Sequence, residues 1–158
     1  FDDSRGYFRE IFLNKLFKKK KFIFWCLSKS KRKVVRGLHL QKKHQQDKFV
    51  SVVKGKIFDI VLDLRKGSKT YGKHFTIVLS DKNSTSLFIP AGFAHGFCAL
   101  EKENLVFYGC TNYRSKNNEL GILWNDKDLK IKWPLKKPIV SKKDKNNLTF
   151  KNFKKLYK

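Results

Sequence analysis

At 158 residues with 41% hydrophobic side chains, the chain is long enough to bury the core of one globular unit, and no apolar run approaches the roughly 20 residues that cross a bilayer. A formal charge of +24 invites a nucleic-acid reading, but only six of the 37 basic residues are arginine, whose planar fork reads phosphates and base edges. We therefore read first a solvated lysine surface, and as a lesser alternative a field that steers a small anionic substrate, with no nucleic-acid or membrane partner.

In chain order, Ile11, Phe12, Leu13, Leu16 and Phe17 cluster at helical spacing and predict a short amphipathic helix over Glu10 to Lys21. Strand patterns follow in short runs rich in Val, Ile, Phe and Leu. They cover Phe22 to Leu27, Val34 to Leu40, Phe49 to Val53, Ile57 to Leu64, His74 to Leu79, Ser86 to Ile89, Gly96 to Leu100 and Asn104 to Cys110. Turn chemistry separates them at Lys54-Gly55, Lys66-Gly67-Ser68, Asp81-Lys82-Asn83 and Pro90-Ala91-Gly92. Many short, evenly spaced strands with helical signal only at the ends predict an all-β jelly roll enclosing a pocket, with short flanking helices. No linker or repeat divides the chain, so residues 1–158 read as a single domain ending in a basic tail over about 145–158. The start has no charged-then-apolar signal pattern, and Cys26, Cys98 and Cys110 read as reduced, buried thiols of a cytoplasmic protein. The chain has no methionine, even at position 1, which leads us to expect residues before Phe1.

Three segments place polar groups in core-like strands. In Arg36-Gly37-Leu38-His39-Leu40-Gln41 the leucines alternate with an imidazole and an amide, so one face is greasy and the other chemical. Lys48 and Asp59 also sit in β-rich runs, where an unpaired charge is expensive to bury. The run from Phe88 to Phe97 contains a Pro-x-Gly-x-x-His turn that resembles the second motif of the cupin jelly rolls. In metal-binding cupins the first motif carries two histidines and a glutamate; here those positions hold His39, Gln41 and Lys48. An ammonium cannot ligate a cation, so the resemblance implies a cupin-like barrel without a metal. The strand Leu105 to Tyr113 carries a phenol near each end, and Tyr108 becomes a candidate acid beside the candidate base His39.

Taken together, Phe1 to Glu10, Arg36 to Gln41, Phe58 to Arg65, Ile89 to Phe97, Leu123 to Asp126 and Ser141 to Asp144 resemble the successive motifs of the dTDP-4-dehydrorhamnose 3,5-epimerases, in order and with family-like spacing. The resemblance implies a cofactor-free isomerase that inverts C3, C5 or both on a nucleotide-linked 4-keto-6-deoxy sugar through an enolate, in a pathway such as that to dTDP-rhamnose and surface polysaccharide. It implies His39 as base, Asp144 as its orienting partner, Lys48 facing the enolate oxygen with Asp59 holding the lysine, and Tyr108 as acid on the other face. Arg36, His95 and Lys143 would meet sugar or phosphates, Gln41 would be substrate-binding, Glu119 would make a further polar contact, and Tyr113 would stack on the base. The family exchanges N-terminal strands between subunits, which implies a homodimer in which Arg5, Phe8 and Glu10 reach the partner's nucleotide. Where the family shows a glutamine and an asparagine that contact the nucleotide, this chain has Phe24 and Cys26. The competing readings are a ketoisomerase that moves the carbonyl between C3 and C4, and a non-catalytic nucleotide-sugar-binding jelly roll.

Overall fold

The strands follow the two-residue alternation read from the sequence. The computed structural model describes residues 1–17 and 19–157; Lys18, within the expected first helix, and Lys158, at the end of the expected tail, lie outside the described residues. A small hairpin, β1 (Asp2–Asp3) and β2 (Gly6–Tyr7), precedes β3 (Phe24–Lys31), β4 (Val34–Gln41), β5 (Lys48–Lys54) and β6 (Lys56–Asp63). There follow β7 (His74–Ser80), β8 (Ser86–Ile89), β9 (Phe93–Ala99), β10 (Glu103–Cys110), β11 (Glu119–Gly121) and β12 (Ile139–Val140), and the chain closes with helices α1 (Lys142–Lys145) and α2 (Phe150–Leu156). All eight expected strands are present. β3 runs on to Lys31 and β9 starts at Phe93, because their ladders with β10 and β6 continue beyond the apolar runs that marked them.

Four strands, in the order β3-β10-β5-β8, form one sheet. The other has the order β11-β4-β9-β6-β7, with β12 pairing in parallel with β4. The sheets share a core: Val50, Val52, Ile89 and Val106 of the first pack with Ile57, Val61, Leu79 and Phe97 of the second. This is the jelly-roll sandwich, with one chemical face of each sheet turned inward.

Both outward faces are covered. Leu38, Leu40, Ile60 and Leu62 point away from the inter-sheet core and are sealed by Ile122, Leu129, Phe150 and Phe153. The basic tail thus folds back as α2, opened by the Thr149 side chain accepting from the Asn152 N–H. The four-stranded sheet is covered by the segment expected as an amphipathic helix, among whose described residues only Asn14–Phe17 are helical, as one 3₁₀ turn. Residues five apart lie about 140° apart around an α-helix. Yet Phe12 and Phe17 stack at 5.4 Å and both meet Phe22 and Phe49, so the chain has to bend to bring these rings together. Each such pair adds about 0.5–1.5 kcal/mol beyond burial, enough in sum to outweigh the helical propensity of a short lysine-rich run.

β4 and β9 approach closely at two glycines. A Cβ on Gly37 would lie 2.6 Å from the Cα of Gly96, and one on Gly96 would lie 2.7 Å from the Arg36 carbonyl oxygen. Gly37 also has φ +114°, which L side chains rarely adopt. The strand register shifts here, between Arg36 and His39, and resumes with His39 opposite His95.

Candidate active site

Alternation on β4 turns His39 inward while Leu38 and Leu40 fill the outer core, as the sequence indicated. The inward faces enclose a cavity of about 600 Å³, within the range of small-molecule sites. His39 from β4 and His95 from β9 line the wall made by the larger sheet; Lys48 from β5 and Tyr108 from β10 line the facing wall.

His39 is held by Asp144, whose Oδ1 lies 2.6 Å from His39 Nε2. With Nε2–H donating to this carboxylate, the neutral ring keeps its lone pair on Nδ1. Burial alone would raise the pKa of Asp144, but the hydrogen bond and charge of His39, together with the Gly37 N–H, hold it below the usual carboxylate value. The helix α1 that carries Asp144 starts at a Ser141 cap, which accepts from the Asp144 N–H at 3.0 Å.

On the facing wall, loss of water lowers the pKa of Lys48, against the opposing pull of Cys110, Glu119 and Asp59. Burial is also the main cause that pushes the Tyr108 phenol up to about 12, followed by the neighbouring Cys26 and Cys110 thiols. The phenol is therefore protonated at neutral pH and available as a donor.

Asp59 departs from the sequence expectation. Its Oδ2 lies 2.8 Å from His95 Nε2, so this fully buried carboxylate holds the histidine; it acts on Lys48 only through its charge. Its Oδ1 has no hydrogen-bond partner among the described residues, and desolvation raises its pKa. Gln41 differs as well. Its amide nitrogen donates to the carbonyls of His44 and Tyr113, and its oxygen accepts from the Ser115 N–H. Gln41 lines the cavity, but its polar atoms brace the loop after β10.

Arg36, Glu119 and Lys143 line the cavity. Arg36 is steadied by Ser30 and the Lys29 carbonyl; Glu119 accepts from both Lys143 and Arg114, at 2.7 and 2.8 Å. Arg114 is a lining cation that no sequence motif announced, since it sits in a loop without periodicity. Cys26 is half-buried and faces the cavity, which corrects the expectation of three buried thiols; all three cysteines are free. The alternation of Phe24, Cys26 and Ser28 on β3 is the signal that puts them together on this wall. Tyr113 is exposed, with its ring 5.9 Å from that of Phe24.

Arg5, Phe8 and Glu10 lie outside this cavity. Arg5 pairs with Asp3, Phe8 packs on Phe1, and Phe8 and Glu10 border a separate surface hollow with Asp81 and Lys82. Among the described residues no three His, Cys, Asp or Glu side chains converge as metal ligands, and no helix is long and apolar enough to cross a membrane.

Residues 1–152 match the family described as dTDP-4-dehydrorhamnose 3,5-epimerase. The chain is 44% identical over 156 residues to the dTDP-4-dehydrorhamnose 3,5-epimerase of Shigella flexneri, covering 95% of this chain and 86% of that protein. A crystal structure of the Bacillus anthracis enzyme of that name, with TDP and pyrophosphate bound, is 38% identical and superposes with a TM-score of 0.92, covering 95% of this chain and 89% of that one. The dTDP-6-deoxy-D-glucose-3,5-epimerase of Legionella pneumophila, in complex with dTDP-4-keto-L-rhamnose, is 37% identical with a TM-score of 0.90, covering 93% and 81%.

Proposed function

The chain belongs to the dTDP-4-dehydrorhamnose 3,5-epimerase family of isomerases, and from that premise we propose how its own residues invert the carbons beside the ketone of a nucleotide-linked 4-keto-6-deoxy sugar. The observation that carries the reading is the placement of the oriented histidine and the protonated phenol on opposite walls of one cavity.

In the proposed reaction the ketone flanks the scissile C–H bonds, whose protons become acidic once the enolate oxygen is stabilised. His39 Nδ1 takes the proton from one face of the sugar, and Asp144 stabilises the resulting imidazolium. The electron pair moves onto the carbonyl oxygen, where the desolvated ammonium of Lys48 meets the developing charge. Tyr108 then delivers its phenolic proton to the same carbon from the other face, and the enolate collapses to a ketone of inverted configuration. His95, steadied by Asp59, contacts the sugar, Arg36 and Lys143 meet the sugar and diphosphate, and Glu119 makes a further polar contact. The excess of lysine steers the anionic substrate inward. Tyr113, beside the cavity-lining Phe24, stacks on the base. The test is incubation in D2O with dTDP-4-keto-6-deoxyglucose and its UDP counterpart, read by NMR. Deuterium is expected at C3 and C5 with inversion. A carbonyl moved to C3 would instead establish the ketoisomerase, and protons that stay in place would establish a binding module.

Residues 1–158 act in this proposal as one jelly-roll unit, supported by Phe150 and Phe153 from the far end packing on β4 and β6. The working form is a homodimer in which Arg5, Phe8 and Glu10 complete the nucleotide end of the partner's cavity. Its support is that these three lie clear of their own chain's cavity, with Phe8 and Arg5 exposed. Sedimentation is expected to show a dimer at micromolar concentration; a fully active monomer would overturn this arrangement.

A further inference from the structure

Besides His39, the Gly37 N–H and the Ser141 side chain, the carboxylate of Asp144 meets one more group. Asn147, one turn further along, directs its Nδ2 at Asp144 Oδ1, 3.5 Å away, the same oxygen that holds His39. Asn147 does not line the cavity, so any effect it has on the reaction runs through the carboxylate.

What seats this amide is a missing side chain. A Cβ built on Gly121 would lie 2.2 Å from Cγ, 2.2 Å from Oδ1 and 2.3 Å from Nδ2 of Asn147. All three amide atoms thus lie over the face of Gly121 that a side chain would occupy. The backbone fixes the same junction: Leu148 N–H donates to the Gly121 carbonyl, and Leu123 N–H donates to the Leu148 carbonyl. Gly121 is itself directly opposite His39 in the β4–β11 ladder. Two strand neighbours therefore carry the two ends of one short relay, from His39 through Asp144 and Asn147 back to Gly121.

We propose that Gly121 and Asn147 are positioning residues for the His39–Asp144 pair, the glycine as the seat and the amide as a further donor, on the oxygen that holds His39, that helps fix which way the carboxylate faces. The inference rests on His39 acting as the base. Removal of the amide loosens Asp144 Oδ1, leaving the Gly37 N–H and Ser141 to hold the carboxylate, and lets that oxygen lean more of its charge on the imidazolium. A base displaced by a fraction of an ångström loses rate, and one whose protonated form is better stabilised is active only at higher pH. The other titratable groups around His39 are Glu119 from β11, already paired with Arg114 and Lys143, His95 opposite it on β9, and Lys48 across the cavity. None of these contacts Asn147, so they stay constant in the comparison.

The test measures α-proton exchange in D2O and kcat against pH for wild type, Asn147→Ala, Gly121→Ala and the double variant, with Tm for each. Asn147→Ala is expected to lower kcat roughly 10–100-fold with little change in KM, and to move the acidic limb of the kcat/KM profile to higher pH. Gly121→Ala is expected to shift that limb in the same direction, because its methyl expels the amide, and to lower Tm. In the double variant the methyl fills the space the amide left, so Tm recovers and the activity is no lower than with Asn147→Ala alone. An unmoved acidic limb in Asn147→Ala, or losses that multiply in the double variant, would overturn the proposal. Absence of exchange in the wild type would instead refute the assignment of the base.

Discussion

His39→Ala is expected to abolish epimerisation and solvent exchange together, because without the imidazole no α-proton leaves and no enolate forms. Loss of a general base typically costs ~10²–10⁴-fold, and here every later step depends on the enolate. The cavity keeps its walls, since His39 contributes its ring rather than a hydrophobic contact and Leu38 and Leu40 hold the outer side of the strand. Exchange lost with the fold retained is thus the expected pair of results, Tm falling because the buried Asp144 carboxylate loses its main partner. Wild-type exchange in this variant would force the base to be sought elsewhere, with His95 the first alternative since it lines the same wall.

Tyr108→Phe is expected to separate exchange from inversion. Its phenol stands on the wall opposite His39, so its loss leaves abstraction intact and removes the proton returned from the other face. Deuterium then enters with retention, as His39 gives back a solvent-derived proton, while the inverted product falls by roughly 10²–10⁴-fold. The ring remains packed against the inter-sheet core, so stability should barely change. Full inversion by this variant would show that the second proton comes from another donor.

The strands were legible because period-two alternation is local, and so was the inward orientation of His39, which follows from greasy residues on either side of it. Asp59 shows where local reading ends. It sits opposite Phe97, while His95 sits opposite Val61, so the carboxylate reaches the imidazole on a diagonal that exists only if β6 and β9 are neighbours. Nothing in either strand's own sequence states that adjacency. The N-terminal segment misled for a related reason: helical spacing was present, but the aromatic surface of the four-stranded sheet, assembled from distant positions, offered the rings better partners. For the tail the opposite holds. Phe150 and Phe153, three apart behind a threonine cap, carried a helix signal that the surrounding lysines obscured.

The close approach of Gly37 and Gly96 has a consequence for how such a sequence can diverge. Each residue's missing side chain is the room that the other's backbone occupies, so enlargement at one position cannot be compensated by any change at the other. The two positions are locked by mutual epistasis in one direction, and the crossing that sets His39 against His95 travels through sequence change as a fixed gauge. Phe24, Cys26 and Ser28, which line the cavity from the edge strand of the opposite sheet, stand outside that crossing and can change without touching it.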